Sequence, residues 1–124
     1  MGSNESGYRA GKRVEYHFLV RIKPVRSSAA AAWDVSTIRN ISKTGILFYS
    51  SNRYERGTDV EVRITNPIIA EEIICLGQVA RCEPQKDMKD IYGVAVEITG
   101  MDPESREVYD QTVKLFIEKA ERPK

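Results

Sequence analysis

Asp59-Val60-Glu61-Val62-Arg63-Ile64 alternates charged and β-branched residues without a break. Strict alternation is the signature of a strand with one face buried and the other in water. Arg56-Gly57 just before it supplies a turn. Working outward, the same period recurs in both directions. Towards the N-terminus, His17 to Lys23 places Phe18, Val20 and Ile22 on one side and His17, Arg21 and Lys23 on the other. Ala29 to Ile38 reads as a second strand with Trp33, Val35 and Thr37 on one face, Asp34 and Ser36 on the other, and Trp33 as a core residue. Four alanines favour helix, but so short a run does not repay helix nucleation. Gly45 to Tyr49 is a third strand. Beyond Ile64, Ile73 to Cys82 forms a fifth with Gly77 as a bulge or bend, and Ile91 to Ile98 a sixth, with a polar loop at Glu83 to Asp87 between them.

After Gly100 the period changes. Asp102-Pro103-Glu104 combines an N-cap residue, proline at the first helical position and an acid in the first turn. Tyr109, Val113, Phe116, Ile117 and Ala120 then recur at helical spacing and form one apolar stripe. A mainly β fold follows: a small six-stranded antiparallel β-barrel, closed or nearly so, with a C-terminal amphipathic α-helix packed against it.

At 124 residues, the chain has the size of one domain and leaves no room for a fused output domain. Residues 1–7 read as a flexible tail, 8–16 as a loop, 17–99 as the barrel and 102–120 as the helix. Hydrophobic content of 41% and charged content of 30% are those of a soluble globular protein. No apolar run approaches the roughly 20 residues needed to span a bilayer, and the polar start Met1-Gly2-Ser3-Asn4 carries no secretory signal. Membrane insertion is not expected, and cytoplasmic residence is the default.

A formal net charge of +1 provides no global field for binding a nucleic-acid polymer. Locally the picture differs. Arg9, Lys12, Arg13, Arg21, Lys23 and Arg26 stand against the single acid Glu15, an arrangement suited to a small dianion. Cys75 and Cys82 fall on one strand, which at about 3.3 Å per residue puts their Cα atoms roughly 20 Å apart, beyond disulfide reach. With one histidine and no CxxC spacing, a metal site lacks ligands. No nucleophile and base constellation or phosphate loop can be placed, so an enzyme is not expected.

Two short patterns carry the functional reading. Arg9-Ala-Gly-Lys-Arg13 has the form RxxxR, and Asn40-Ile41-Ser42-Lys43-Thr44-Gly45 the form (D/N)xSxxG. In this order and spacing they resemble the signature of PilZ domains, bacterial receptors for cyclic di-GMP. The segment Arg13-Val14-Glu15-Tyr16-His17-Phe18-Leu19-Val20-Arg21-Ile22 resembles the family's entry into its first strand, and the likeness runs from about Tyr8 to Ile117. It implies a PilZ-like barrel, cyclic di-GMP as ligand rather than a cofactor, and a site made of Arg9, Arg13, Asn40, Ser42 and Gly45.

The residue types suit that ligand. A guanidinium fork meets guanine N7 and O6 with two parallel donors, and it also pairs with phosphate or stacks on a purine face. The Asn40 side-chain oxygen can accept from guanine N1 and N2, although asparagine forgoes the charge-assisted bond of the aspartate that many family members carry. Ser42 offers a hydroxyl to ligand or to its own turn. Gly45, lacking Cβ, is expected to allow close approach of a ligand and access to positive φ. Tyr8 is a secondary candidate whose ring either stacks on a guanine or covers the barrel mouth. The expected function is a non-enzymatic sensor whose N-terminal loop reorganises on binding to act on a protein partner in motility, biofilm or a related output. The alternatives are a ligand-independent scaffold of the same fold in pilus, flagellar or secretion machinery, and a small nucleic-acid-binding barrel prompted by the basic first strand.

Overall fold

A computed structural model describes residues 18–26, 32–66 and 71–121. Six strands precede one helix: β1 (Leu19–Pro24), β2 (Asp34–Ile41), β3 (Gly45–Ser50), β4 (Asp59–Asn66), β5 (Glu71–Pro84), β6 (Tyr92–Met101) and α1 (Pro103–Glu121). Every pairing is antiparallel. Because β1 pairs with both β2 and β4, the sheet closes in the order β1-β2-β3-β6-β5-β4. Closure removes the unpaired edges that an open sheet would expose.

The alternation in β4 is borne out: Val60, Val62 and Ile64 are fully buried. They meet Val20 and Ile22 from β1, Phe48 from β3, Ile73 and Val79 from β5, and Val94 and Val96 from β6 in one core. Burying each such side chain contributes about 1.5–3 kcal/mol. Gly77 lies at a register shift between β5 and β6, as its place in the strand predicts, and a second shift falls between Val79 and Arg81. The long β5 pairs with β4 from Glu71 to Gln78 and with β6 from Cys75 to Pro84.

Helix α1 starts as its sequence requires. The Asp102 carboxylate accepts from the Ser105 backbone N–H at 2.8 Å, and Pro103 is the first helical residue. Tyr109 and Val113 are buried, and Phe116 lies against Phe18 with ring centroids 5.8 Å apart. Ile117 departs from the expected stripe. At 43% exposure it lies at the edge of the helix face that the barrel covers.

The face of β2 is the opposite of the one its side chains suggest. Val35 is 60% exposed, and Trp33 lies on the outside of the barrel beneath three cations. Lys23 Nζ stands 4.7 Å from the Trp33 ring centroid and the Arg63 and Arg21 guanidinium carbons 5.2 and 5.8 Å, which is cation–π range. Register explains the inversion. Asp34 is opposite Ile22 and Ser36 opposite Val20, so these two polar residues turn inward with their buried partners. Each is satisfied there. Asp34 accepts from Ser50 and from the Tyr54 hydroxyl, both at 2.6 Å, and Ser36 donates to the Tyr49 carbonyl at 2.6 Å. Ile38 continues this inward face, and the bulge between Ile38 and Asn40 brings Ile41 into the core as well. The strand itself begins at Asp34 and extends to Ile41, later than expected at both ends.

Both cysteines lie on β5 and are free. Burial pushes the Cys75 thiol from 9.0 up to about 12. Burial likewise raises the Tyr54 and Tyr109 phenols above 10.0, with the hydrogen bond to Asp34 adding to the shift of Tyr54. The folded protein keeps these three groups protonated, whereas the unfolded chain releases their protons at ordinary values. The Cys75 contribution to stability is therefore fully present below pH 9.0 and lost as pH rises from there through about 12, and that of the two tyrosines is fully present below 10.0 and lost at higher pH. Urea midpoints measured at about pH 8 and about pH 11 are expected to fall clearly over that interval. Cys75→Ala should flatten the fall, and an equally steep fall in that variant would remove the thiol from the account.

Candidate functional site

The link between β2 and β3 is a turn closed largely by its own atoms. Ser42 N–H donates to the Gly45 carbonyl at 2.9 Å, and the Ser42 hydroxyl accepts from Thr44 N–H at 3.3 Å. That hydroxyl also reaches the Gly45 carbonyl at 3.4 Å, so serine bonds its own turn, as expected of this residue type. The Asn40 side-chain oxygen accepts from Ile41 N–H at 2.9 Å. On the far side Thr44 C=O accepts from Ile98 N–H at 2.8 Å, which anchors the turn to β6.

The structure overturns the positive φ expected of Gly45 and shows a packing reason for glycine at this position. Its φ is not positive; among the described glycines that conformation belongs to Gly57, with φ 92°. A Cβ at Gly45 would lie 2.7 Å from the Val96 carbonyl oxygen. The glycine thus lets β3 come close to the β6 main chain at the point where the turn becomes a strand.

Asn40, Ser42 and Gly45 come together on the lining of an open groove of about 440 Å³ on the outer surface of the barrel. Its opposite wall brings in two residues that the motif does not contain, Arg81 from β5 and Glu97 from β6. Both are exposed, and neither forms an ion pair with a described residue. A smaller cavity of about 180 Å³ continues past Arg81 to Tyr49 and Gln85, where the Arg39 guanidinium lies 5.0 Å from the Tyr49 ring centroid. The surface therefore offers guanidinium groups for phosphate or purine, a carboxylate for donors on a base, and an aromatic face. Tyr8, Arg9 and Arg13 lie outside the described residues, as does His17.

A PilZ domain family model matches residues 8–114. The chain belongs to the PilZ domain family. Both motifs fall inside the matched span. PilZ is a cyclic di-GMP-binding family whose members are in general non-catalytic receptors. Solved structures agree on the fold. The inhibitor of motility MotI (DgrA) of Bacillus subtilis superposes with a TM-score of 0.67 at 16% identity, over 90% of this chain and 54% of that one. MrkH of K. pneumonia in its apo state superposes with a TM-score of 0.67 at 13% identity, over 99% of this chain and 56% of that one. This PilZ chain thus spans about half the length of either protein. No curated protein matches significantly by sequence.

Arg81 and Glu97 carry no sequence signal of a site, since both look like ordinary exposed strand charges. Pairing places them: Gly45 is opposite Glu97, and the shift between Val79 and Arg81 sets Arg81 opposite Ala95. Among the described residues no cluster of three or more His, Cys, Asp or Glu could hold a metal, and no helix is long and apolar enough to cross a membrane.

Proposed function

We propose that this PilZ chain is a non-enzymatic receptor for cyclic di-GMP. The ligand lies in the groove beside the 40–45 turn, with Arg9 and Arg13 closing over it from the N-terminal side. The observation that carries this reading is the convergence of Asn40, Ser42 and Gly45 on one open groove faced by Arg81, which has no ion-pair partner among the described residues. The chain also bears a complete RxxxR motif. In this proposal Asn40 accepts from guanine, Ser42 donates to phosphate or base, and Gly45 keeps the groove floor low. Tyr8 stacks on a guanine or covers the barrel mouth.

Residues 8–120 form the receptor unit in this reading, with 1–7 preceding it. Binding orders the arginine segment against the barrel. Because the ligand contacts the ordered arrangement more than the open one, it shifts the population and presents a changed surface to a protein partner. Motility, biofilm or a related process is the class of output we propose.

Calorimetric titration with cyclic di-GMP, with GTP and cyclic di-AMP as controls, tests the reading. Saturable, guanine-specific binding is expected, and the stoichiometry distinguishes one molecule from an intercalated pair. Absence of heat up to high micromolar ligand, from protein that melts cooperatively, would overturn it in favour of a ligand-independent scaffold.

A further inference from the structure

The turn that carries Ser42 and Gly45 is also held from the C-terminal helix, by a residue whose sequence position marks it only as part of an apolar stripe. Tyr109 is fully buried in the core, yet its hydroxyl donates to the Ser42 carbonyl at 2.6 Å and lies 3.3 Å from the Gly45 carbonyl. Three residues earlier, the Arg106 guanidinium reaches the Lys43 carbonyl at 3.4 Å, lies 5.5 Å from the Tyr109 ring centroid and pairs with Asp110 at 3.6 Å. Two side chains on neighbouring turns of α1 therefore contact three consecutive or nearly consecutive carbonyls of a single loop. Ser42, Thr44 and Gly45 of the same loop line the groove.

Packing alone does not call for this arrangement. A phenylalanine would occupy the same place in the core without a hydroxyl to desolvate, and a buried polar group is tolerated only where it finds a partner. The partner found is the peptide between Ser42 and Lys43, whose orientation sets where the Ser42 side chain and the Thr44 and Gly45 amides lie. With Ile98 N–H holding the Thr44 carbonyl, the turn is fixed from the helix and from β6 while its outer side stays open.

We propose that Tyr109 and Arg106 are positioning residues for the dinucleotide turn, and that through them occupancy of the turn is coupled to the docking of α1 on the barrel. The coupling rests on the receptor reading above. It is reciprocal: ligand that favours the clamped turn tightens the helix, and anything that loosens the helix weakens ligand by the same factor. The helix is thereby a second place, besides the arginine segment, where binding can be sensed by a partner.

Tyr109→Phe and Arg106→Met test this, each with and without cyclic di-GMP. In ligand-free protein, amide exchange at Ser42 and Ile98 should quicken in Tyr109→Phe, while amides of the core strand β4 exchange as in the wild type. Unchanged exchange at Ser42 and Ile98 overturns the positioning role whatever the ligand does. With ligand, affinity should weaken about three- to ten-fold in Tyr109→Phe and by less in Arg106→Met, whose bond is longer and exposed. Ligand should slow exchange in residues 106–113 of the wild type and do so less in Tyr109→Phe. Wild-type protein that binds ligand, with both variants binding equally well, sinks the coupling and leaves the receptor reading standing. Wild-type protein that does not bind sinks the receptor reading and the coupling with it, and leaves the ligand-free exchange as the separate measure of the clamp.

Discussion

Gly45→Ala is expected to lower the melting temperature by roughly 3–15 °C and to weaken cyclic di-GMP binding at least about ten-fold. The added Cβ would stand 2.7 Å from the Val96 carbonyl oxygen and 3.6 Å from the Glu97 Cα, both main-chain atoms of β6. A side chain could rotate away, but a paired strand cannot, so β3 and β6 must part or slip. Overpacking of that kind costs about 1–3 kcal/mol, and in a chain of this length each kcal/mol moves the midpoint by roughly 3–5 °C. The same displacement moves the Gly45 carbonyl, which accepts from Ser42 N–H, so the binding turn is disturbed along with the sheet. Gly57→Ala provides the contrast. There φ is 92° but nothing lies within 4 Å of the added Cβ, and only conformational strain of about 1 kcal/mol is expected. Calorimetric melting and ligand titration of both variants measure the difference. A Gly45→Ala protein with wild-type midpoint and affinity would contradict the close approach of β3 to β6.

Arg9→Ala and Arg13→Ala are each expected to reduce cyclic di-GMP affinity by about 100-fold or more. A hydrogen bond to a charged group contributes roughly 1.5–3 kcal/mol, and a guanidinium fork on guanine or phosphate makes two in parallel. Lysine keeps the charge but not the fork, so Arg13→Lys should recover only a small part of the loss. Stability is expected to change little, because arginine is seldom part of an apolar core. Titration combined with thermal melting reads both quantities. Undiminished affinity in both alanine variants would remove the arginine motif from the proposed mechanism and leave the groove residues Arg81 and Asn40 as the ones to test.

The local properties of this protein were legible from its residues alone. Alternation in Asp59 to Ile64 places Val60, Val62 and Ile64 inside, and Asp102-Pro103 begins the helix where the cap geometry is found. Gly77 marks a register shift. The pairing of RxxxR with (D/N)xSxxG leads to the family that the match over residues 8–114 establishes. Each strand, cap and single motif depends on residues a few positions apart, where period, capping chemistry and motif spacing act directly, and the order of the two motifs is read along the chain without knowledge of its fold.

What tertiary structure decided depends on partners far away in the chain. Whether Trp33 or Asp34 faces inward is a question of register, and β1 answered it by setting Ile22 against Asp34. The inward carboxylate is tolerable only because Ser50 and Tyr54 arrive to donate to it. Gly45 looks like a conformational glycine until Val96 is seen against it. Arg81 and Glu97 reach the groove through strand pairing, and Tyr109 reaches the turn across 67 positions. Alternation records that a strand has two faces, but only the closed sheet determines which face meets the core and which distant groups share a surface.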